Sequence, residues 1–261
     1  MPIISTFCKK GGVGKTTFLG YLAHFYANQG KTVLIISADD QNSIFKIFGC
    51  ENFVTDNDDD FFENLLVGEK KPEEVVFEAR PGMYLMKTLN TDRLSINLTL
   101  KRSEEKKLRS LIEDFTNYFD YIFVDFPPSS SRLTEILLDI SEKILLVVGL
   151  DPLGIDGYKN TIQYFVDCDI EISKISHIIP IGYHPIKITP NKSLKELKNL
   201  AQNYSPDAII ATPIKDKAVI QNLQSEGISV FDNHMMKDKF HQKNLNEIAK
   251  DLTEVYNSIV L

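Results

Sequence analysis

A chain of 261 residues that is 43% hydrophobic is long enough to bury a large core, and its length fits one domain spanning 1–261. The net charge of −7 excludes a uniformly basic nucleic-acid coat, so any contact with DNA must come from a local patch. Three scattered cysteines, Cys8, Cys50 and Cys168, form no C-x-x-C pair and read as structural thiols of a reducing compartment, with no zinc or iron–sulfur site.

The opening run MPIISTFCKK is too short and wrongly ordered for a signal-peptide core, and no stretch approaches about 18 uninterrupted apolar residues, so a cytoplasmic protein is expected. In chain order, short apolar or β-branched runs predict strands over 3–7, 32–37, 121–126, 144–149, 175–181 and 208–211. Helical spacing predicts helices over 16–29, 104–118, 130–139, 157–168, 193–203 and 239–258. Most of the strand runs are apolar on both faces, the pattern of strands covered by helices on each side, so the fold class is α/β with a doubly wound, mostly parallel sheet. Residues 51 to 78 hold ten acidic residues against Lys70 and Lys71, with the run DNDDD at 56–60, and read as a solvated surface excursion without a metal site.

The first strand leads directly into CKKGGVGKTT, residues 8–17. Strand, glycine-rich turn and helix start are the setting in which such a string cradles phosphates. Gly11, Gly12 and Gly14 allow positive φ, and the N–H groups of the loop, Val13 included, can converge on anionic oxygens at the positive end of the next helix. Lys15 is expected to neutralise β- and γ-phosphate charge, the hydroxyl of Thr16 to coordinate Mg²⁺, and Thr17 to complete the loop, so ATP and Mg²⁺ are the expected cofactors.

Lys10, with Gly11, Gly12, Lys15 and Thr16, resembles the K-G-G-x-x-K-[ST] signature of the deviant Walker A family of P-loop ATPases, which includes ParA-type partition proteins and MinD. The resemblance implies a P-loop NTPase fold and an ATP-dependent sandwich homodimer in which Lys10 reaches the phosphates bound by the other subunit. Lys9 has no role in that pattern and is expected to be solvated.

Two further segments carry the resemblance. SADDQ at 37–41 is similar to the family's D-x-D-P-Q, which implies that Asp39 positions the attacking water, while Ser37 and Asp40 depart from the pattern; the two aspartates could also cap a turn. DYIFVDFPPSSS, from Asp120, is similar to the Walker B segment, which implies that Asp125 holds Mg²⁺ through a bound water. Pro213 matches a proline of the family's nucleotide-binding I-P-R-N segment, whereas Ile214 and Lys215 replace the Arg-Asn pair near the adenine.

Lys217 falls where partition ATPases carry a DNA-binding arginine, and Lys187, Lys192, Lys195 and Lys198 meet a single acid, Glu196, so this region is the expected surface for non-specific DNA binding. The implied activity is ATP hydrolysis in plasmid or chromosome partition, stimulated by a centromere-binding ParB-type partner, in the cytoplasm and on the nucleoid. A MinD-like membrane cycle expects a basic amphipathic C-terminal helix, and EIAKDLTEVYNSIVL has Lys250 as its one cation, so no membrane partner is expected. An ATP-dependent ligase of the dethiobiotin or cobyrinate type is the other alternative on this fold.

Overall fold

The computed structural model describes residues 2–56, 62–88, 90–215, 218–232 and 239–259. The strands are β1 (Ile3–Phe7), β2 (Val33–Ser37), β3 (Val76–Arg80), β4 (Met83–Met86), β5 (Tyr121–Asp125), β6 (Lys143–Gly149), β7 (Ile175–Tyr183), β8 (Ile209–Ile210) and β9 (Ile214–Lys215). The helices are α1 (Lys15–Ala27), α2 (Ser43–Ile47), α3 (Glu51–Asp56), α4 (Phe62–Val67), α5 (Pro72–Val75), α6 (Thr91–Leu100), α7 (Arg102–Phe115), α8 (Arg132–Ile140), α9 (Pro152–Asp167), α10 (Ile188–Tyr204), α11 (Ala218–Ser225) and α12 (Lys239–Ser258).

The strands form one sheet in the order β3-β4-β2-β5-β1-β6-β7-β8, with β9 also paired to β7. Among the described strands β3 alone runs antiparallel, against β4 at the edge. Alternation along each strand sends side chains to two cores. Leu34, Ile36, Ile122, Val124, Leu146 and Val148 face the layer that holds residues of α4 and of α6 to α10. Val33, Ile35, Phe123, Leu145 and Val147 face the layer of α1, α2 and α12. This is the doubly wound, mostly parallel architecture expected from the sequence.

The acidic stretch at 51–78 corrects one expectation. It is not simply solvated: Phe62, Leu65, Leu66 and Val75 are buried and join the core, because short helices turn these apolar residues under their charged neighbours. Residues 57–60 of its DNDDD run lie outside the described residues.

Helix α9 begins five residues before its expected start. Asp151 caps it by accepting the N–H of Gly154 at 2.9 Å, and Pro152 supplies a preset φ at the first turn. Gly154 and Gly157, within its first two turns, are close-packing positions. A Cβ on Gly154 would lie 2.1 Å from the carbonyl oxygen of Gly149, and one on Gly157 would lie 2.8 Å from Cβ of Lys10.

A buried polar knot ties α1 to the edge strand β3 and to the chain after α11. Asp232 accepts from Arg80 Nε at 2.8 Å and Nη2 at 2.9 Å, and His24 Nδ1 lies 2.8 Å from Ser229 Oγ. Burial pulls the His24 imidazole down to about 4 against the attraction of Asp232, with Arg80 adding to the depression. Folded protein therefore refuses a proton that the unfolded chain accepts near pH 6.5, so stability falls as pH drops from about 6.5 to about 4. The loss at the lower end is on the order of 3 kcal/mol. Urea unfolding as a function of pH should show this slope, and His24→Gln should flatten it; an unchanged slope would place the proton elsewhere.

Candidate functional site

The loop at 8–17 leaves the carboxyl end of β1 in the middle of the sheet, between β5 and β6, where ligands of open α/β sheets gather. Gly12 at φ 71° and Gly14 at φ 87° use the left-handed region, and Gly14 caps α1. Gly11 does not have positive φ, contrary to expectation; it faces Pro128, which a Cβ would approach at 3.6 Å. Residues 11–17 of the loop and Asp39 line a cavity of about 670 Å³, together with Phe18, Tyr21 and Tyr256 and with Ile220, Gln221 and Gln224 of α11.

Lys15 is 6% exposed and its ammonium donates to the carbonyl oxygen of Lys10 at 3.1 Å. Burial lowers its affinity for the proton, opposed by the nearby Cys8, Asp125 and Asp39. A buried cation with only a carbonyl to bond is costly unless an anion joins it, so the loop is built for a phosphate.

Thr16 Oγ1 donates to Asp125 Oδ1 at 3.1 Å, while Asp125 Oδ2 is buried without a partner. Burial raises the Asp125 carboxyl to about 7, opposed by the Thr16 hydrogen bond and Lys15, with Asp39 adding to the rise. An orphaned carboxylate oxygen beside a hydroxyl is a hard-oxygen donor pair that fits Mg²⁺. When bound, the ion would shield phosphate charge; Thr16 and Asp125 are the residues that would hold it.

Asp39 is half-buried at the cavity wall. Its Oδ1 accepts the N–H of Gln41 at 3.0 Å and its carbonyl accepts from Ser37 Oγ at 2.9 Å. The carboxylate thus caps a turn, the second of its two expected parts, and also lines the cavity. Asp40, where the pattern has proline, is exposed and accepts from the side chain of Gln41 at 3.2 Å.

The two upstream lysines divide in an unexpected way. Lys9 is half-buried rather than solvated: its ammonium donates to Ser130 Oγ and sits 4.5 Å from the Tyr164 ring centroid, and its N–H donates to Thr161 Oγ1 at 2.9 Å. Lys10 packs its Cβ against Gly157, and among the described residues its ammonium has no hydrogen-bond or ion-pair partner. Pro213 does not line the cavity. The chain enters β9 just after it, and the pairing with β7 carries Ile214 and Lys215 to the mouth instead, where Lys215 pairs with Asp251 at 3.4 Å.

Sequence reasoning missed Tyr21, Lys46, Gln221 and Gln224 as lining residues, because they reach the cavity from helices outside the glycine loop. Lys187, Lys192, Lys195 and Lys198 are all exposed on or beside α10, and Glu196 is drawn off by Lys159 at 3.0 Å. Lys217 lies outside the described residues.

A family model described as an AAA domain matches residues 1–177. The chain belongs to that family. Its relatives in it are ATPases of the ParA/MinD type. The cell division protein PomZ of Myxococcus xanthus is 26% identical over 85% of this chain and 69% of its own length. The chromosome-partitioning ATPase Soj of Treponema pallidum is 23% identical over 92% of this chain and 94% of its own. Among solved structures, apo McdA from Cyanothece has a TM-score of 0.80 at 16% identity with 100% of both chains covered, a likeness of fold.

Proposed function

We propose that this protein is a ParA-like ATPase for DNA partition: one domain over 1–261 that binds ATP with Mg²⁺, pairs with a second copy, and binds DNA without sequence preference until hydrolysis releases it. The observation that carries the reading is the pair of lysines. Lys15 is committed to its own loop through the Lys10 carbonyl, whereas the Lys10 ammonium has no bonded partner among the described residues and would be available to a triphosphate held by a twin molecule.

The surface around the loop supports pairing. The carboxyl ends of β1, β6 and β7 lie side by side, and the segments leaving the latter two present Leu153 at 60% exposure, Ile186 at 85% and Ile188 at 84%. Apolar groups this bare beside a charged loop favour burial against another copy.

Catalysis rests on position and charge. Lys15 and Lys10 would draw charge from the phosphates, Thr16 and Asp125 would fix the ion, and Asp39 would orient water for attack, as phosphoryl transfer requires. A ParB-type protein would supply the stimulation. Among the described residues no helix is long and apolar enough to cross a membrane.

DNA binding tests the partition reading against a ligase. Retention of the protein on plain duplex DNA should require ATP and fail with ADP, and the logarithm of affinity should fall linearly with that of salt. Replacing Lys187, Lys192 and Lys195 with glutamine should reduce that slope by about three for each subunit on the DNA. Binding that ignores the nucleotide, or release of ADP that needs a small carboxylic acid, would reject partition.

A further inference from the structure

Helix α11 lines the cavity, and one of its side chains reaches the phosphate loop. Gln224 Nε2 donates to Thr17 Oγ1 at 2.6 Å, and Gln221, Gln224 and Ser225 all line the cavity. The helix is firmly seated: a Cβ on Gly227, just past its end, would lie 2.4 Å from Cα of Gly49, so backbone meets backbone where α11 rests on the end of α2.

A hydroxyl has one proton to give and two lone pairs to receive. With the Gln224 amide donating to it, Thr17 Oγ1 is an acceptor on that side, and its own proton is left to point into the cavity. Thr17 lies in the first turn of α1, where N–H groups and the positive helix end already favour an anion. We infer that Gln224 is a positioning residue for nucleotide binding, polarising Thr17 so that its hydroxyl donates to a phosphate common to ATP and ADP. The inference rests on the nucleotide reading above and adds α11 to it. Lys15 serves the terminal phosphates, and on this inference Thr17, two places further along the helix, serves one that ADP also carries. The contact therefore sets how tightly either nucleotide is held, not which one is preferred.

Calorimetry with a non-hydrolysable ATP analogue and with ADP provides the test, on variants whose melting matches the unsubstituted protein. Gln224→Ala should weaken both nucleotides by the same factor, about fivefold to tenfold. Gln224→Glu, which can only accept from Thr17 and so takes its proton, should weaken both further. In a Thr17→Val background Gln224→Ala should cost nothing more. Unchanged affinity for both nucleotides, a loss confined to ATP, or losses that simply add would overturn the role of Gln224. Failure of the unsubstituted protein to bind either nucleotide would instead overturn the reading beneath it.

Discussion

Lys15→Met is expected to bind ATP at least about a hundredfold more weakly while folding as well as the unsubstituted protein or better. The loss follows from removing charge-assisted hydrogen bonds to phosphate, each worth about 1.5–3 kcal/mol, with 1.4 kcal/mol to each tenfold. The gain in folding follows from the surroundings of the ammonium. It is 6% exposed, bonds a carbonyl oxygen, and is pushed by burial toward losing its proton. A methionine of similar length removes that buried charge, and a rise in stability of about 1 kcal/mol without nucleotide is expected. Thermal melting with and without ATP checks both halves: the variant should melt no lower than the parent alone and should fail to shift when ATP is added. A melting shift equal to the parent's would show that Lys15 does not meet the phosphates.

The second large effect lies at Asp39. Asp39→Ala should bind ATP as tightly as the parent, or slightly more tightly because one negative charge leaves the phosphate cavity, yet turn over about a hundredfold more slowly. The carboxylate is anchored by the Gln41 N–H at 3.0 Å and lines the same cavity as Thr16, which donates to Asp125. It is thus held at the cavity wall, where on the proposed function it would orient a water without being spent on binding. Single-turnover measurement of phosphate release, with binding measured separately, distinguishes the two effects. Normal turnover would remove Asp39 from the reaction, and lost binding would make its part structural.

The interior of the fold was legible because the strands buried on both faces are mostly apolar runs, with few polar positions such as Ser5, Thr6 and His177 to confuse their reading. Strands β1, β2, β5, β6 and β7 fall within two residues of their expected limits. The edge was not. Val76–Arg80 mixes Glu78 and Arg80 with apolar residues, and Met83–Met86 is four residues long, so neither carries a clear period; pairing with each other and with β2 makes them strands. The short helices α2 to α5 likewise owe their existence to packing of residues such as Phe45, Phe62 and Leu66, which no local rule reveals.

At the site the same division holds. Contiguous residues of the glycine loop announced themselves, as did Asp125 at the end of an apolar strand. Gln224 did not, since its partner Thr17 is 207 residues away. Lys9 was misread for the same reason. The groups that hold it, Ser130 and Tyr164, follow it by more than a hundred residues, and a lysine beside a lysine looks solvated until they are in place.

Gate-like use of ATP between two copies is the centre of the account, and mass in solution measures it. Light scattering of the protein loaded with a non-hydrolysable ATP analogue should give twice the monomer mass, with ADP the monomer mass, and with Lys10→Ala the monomer mass under both, although that variant still binds the analogue. A parent that stays single with the analogue, or a Lys10→Ala protein that pairs as well as the parent, would contradict it.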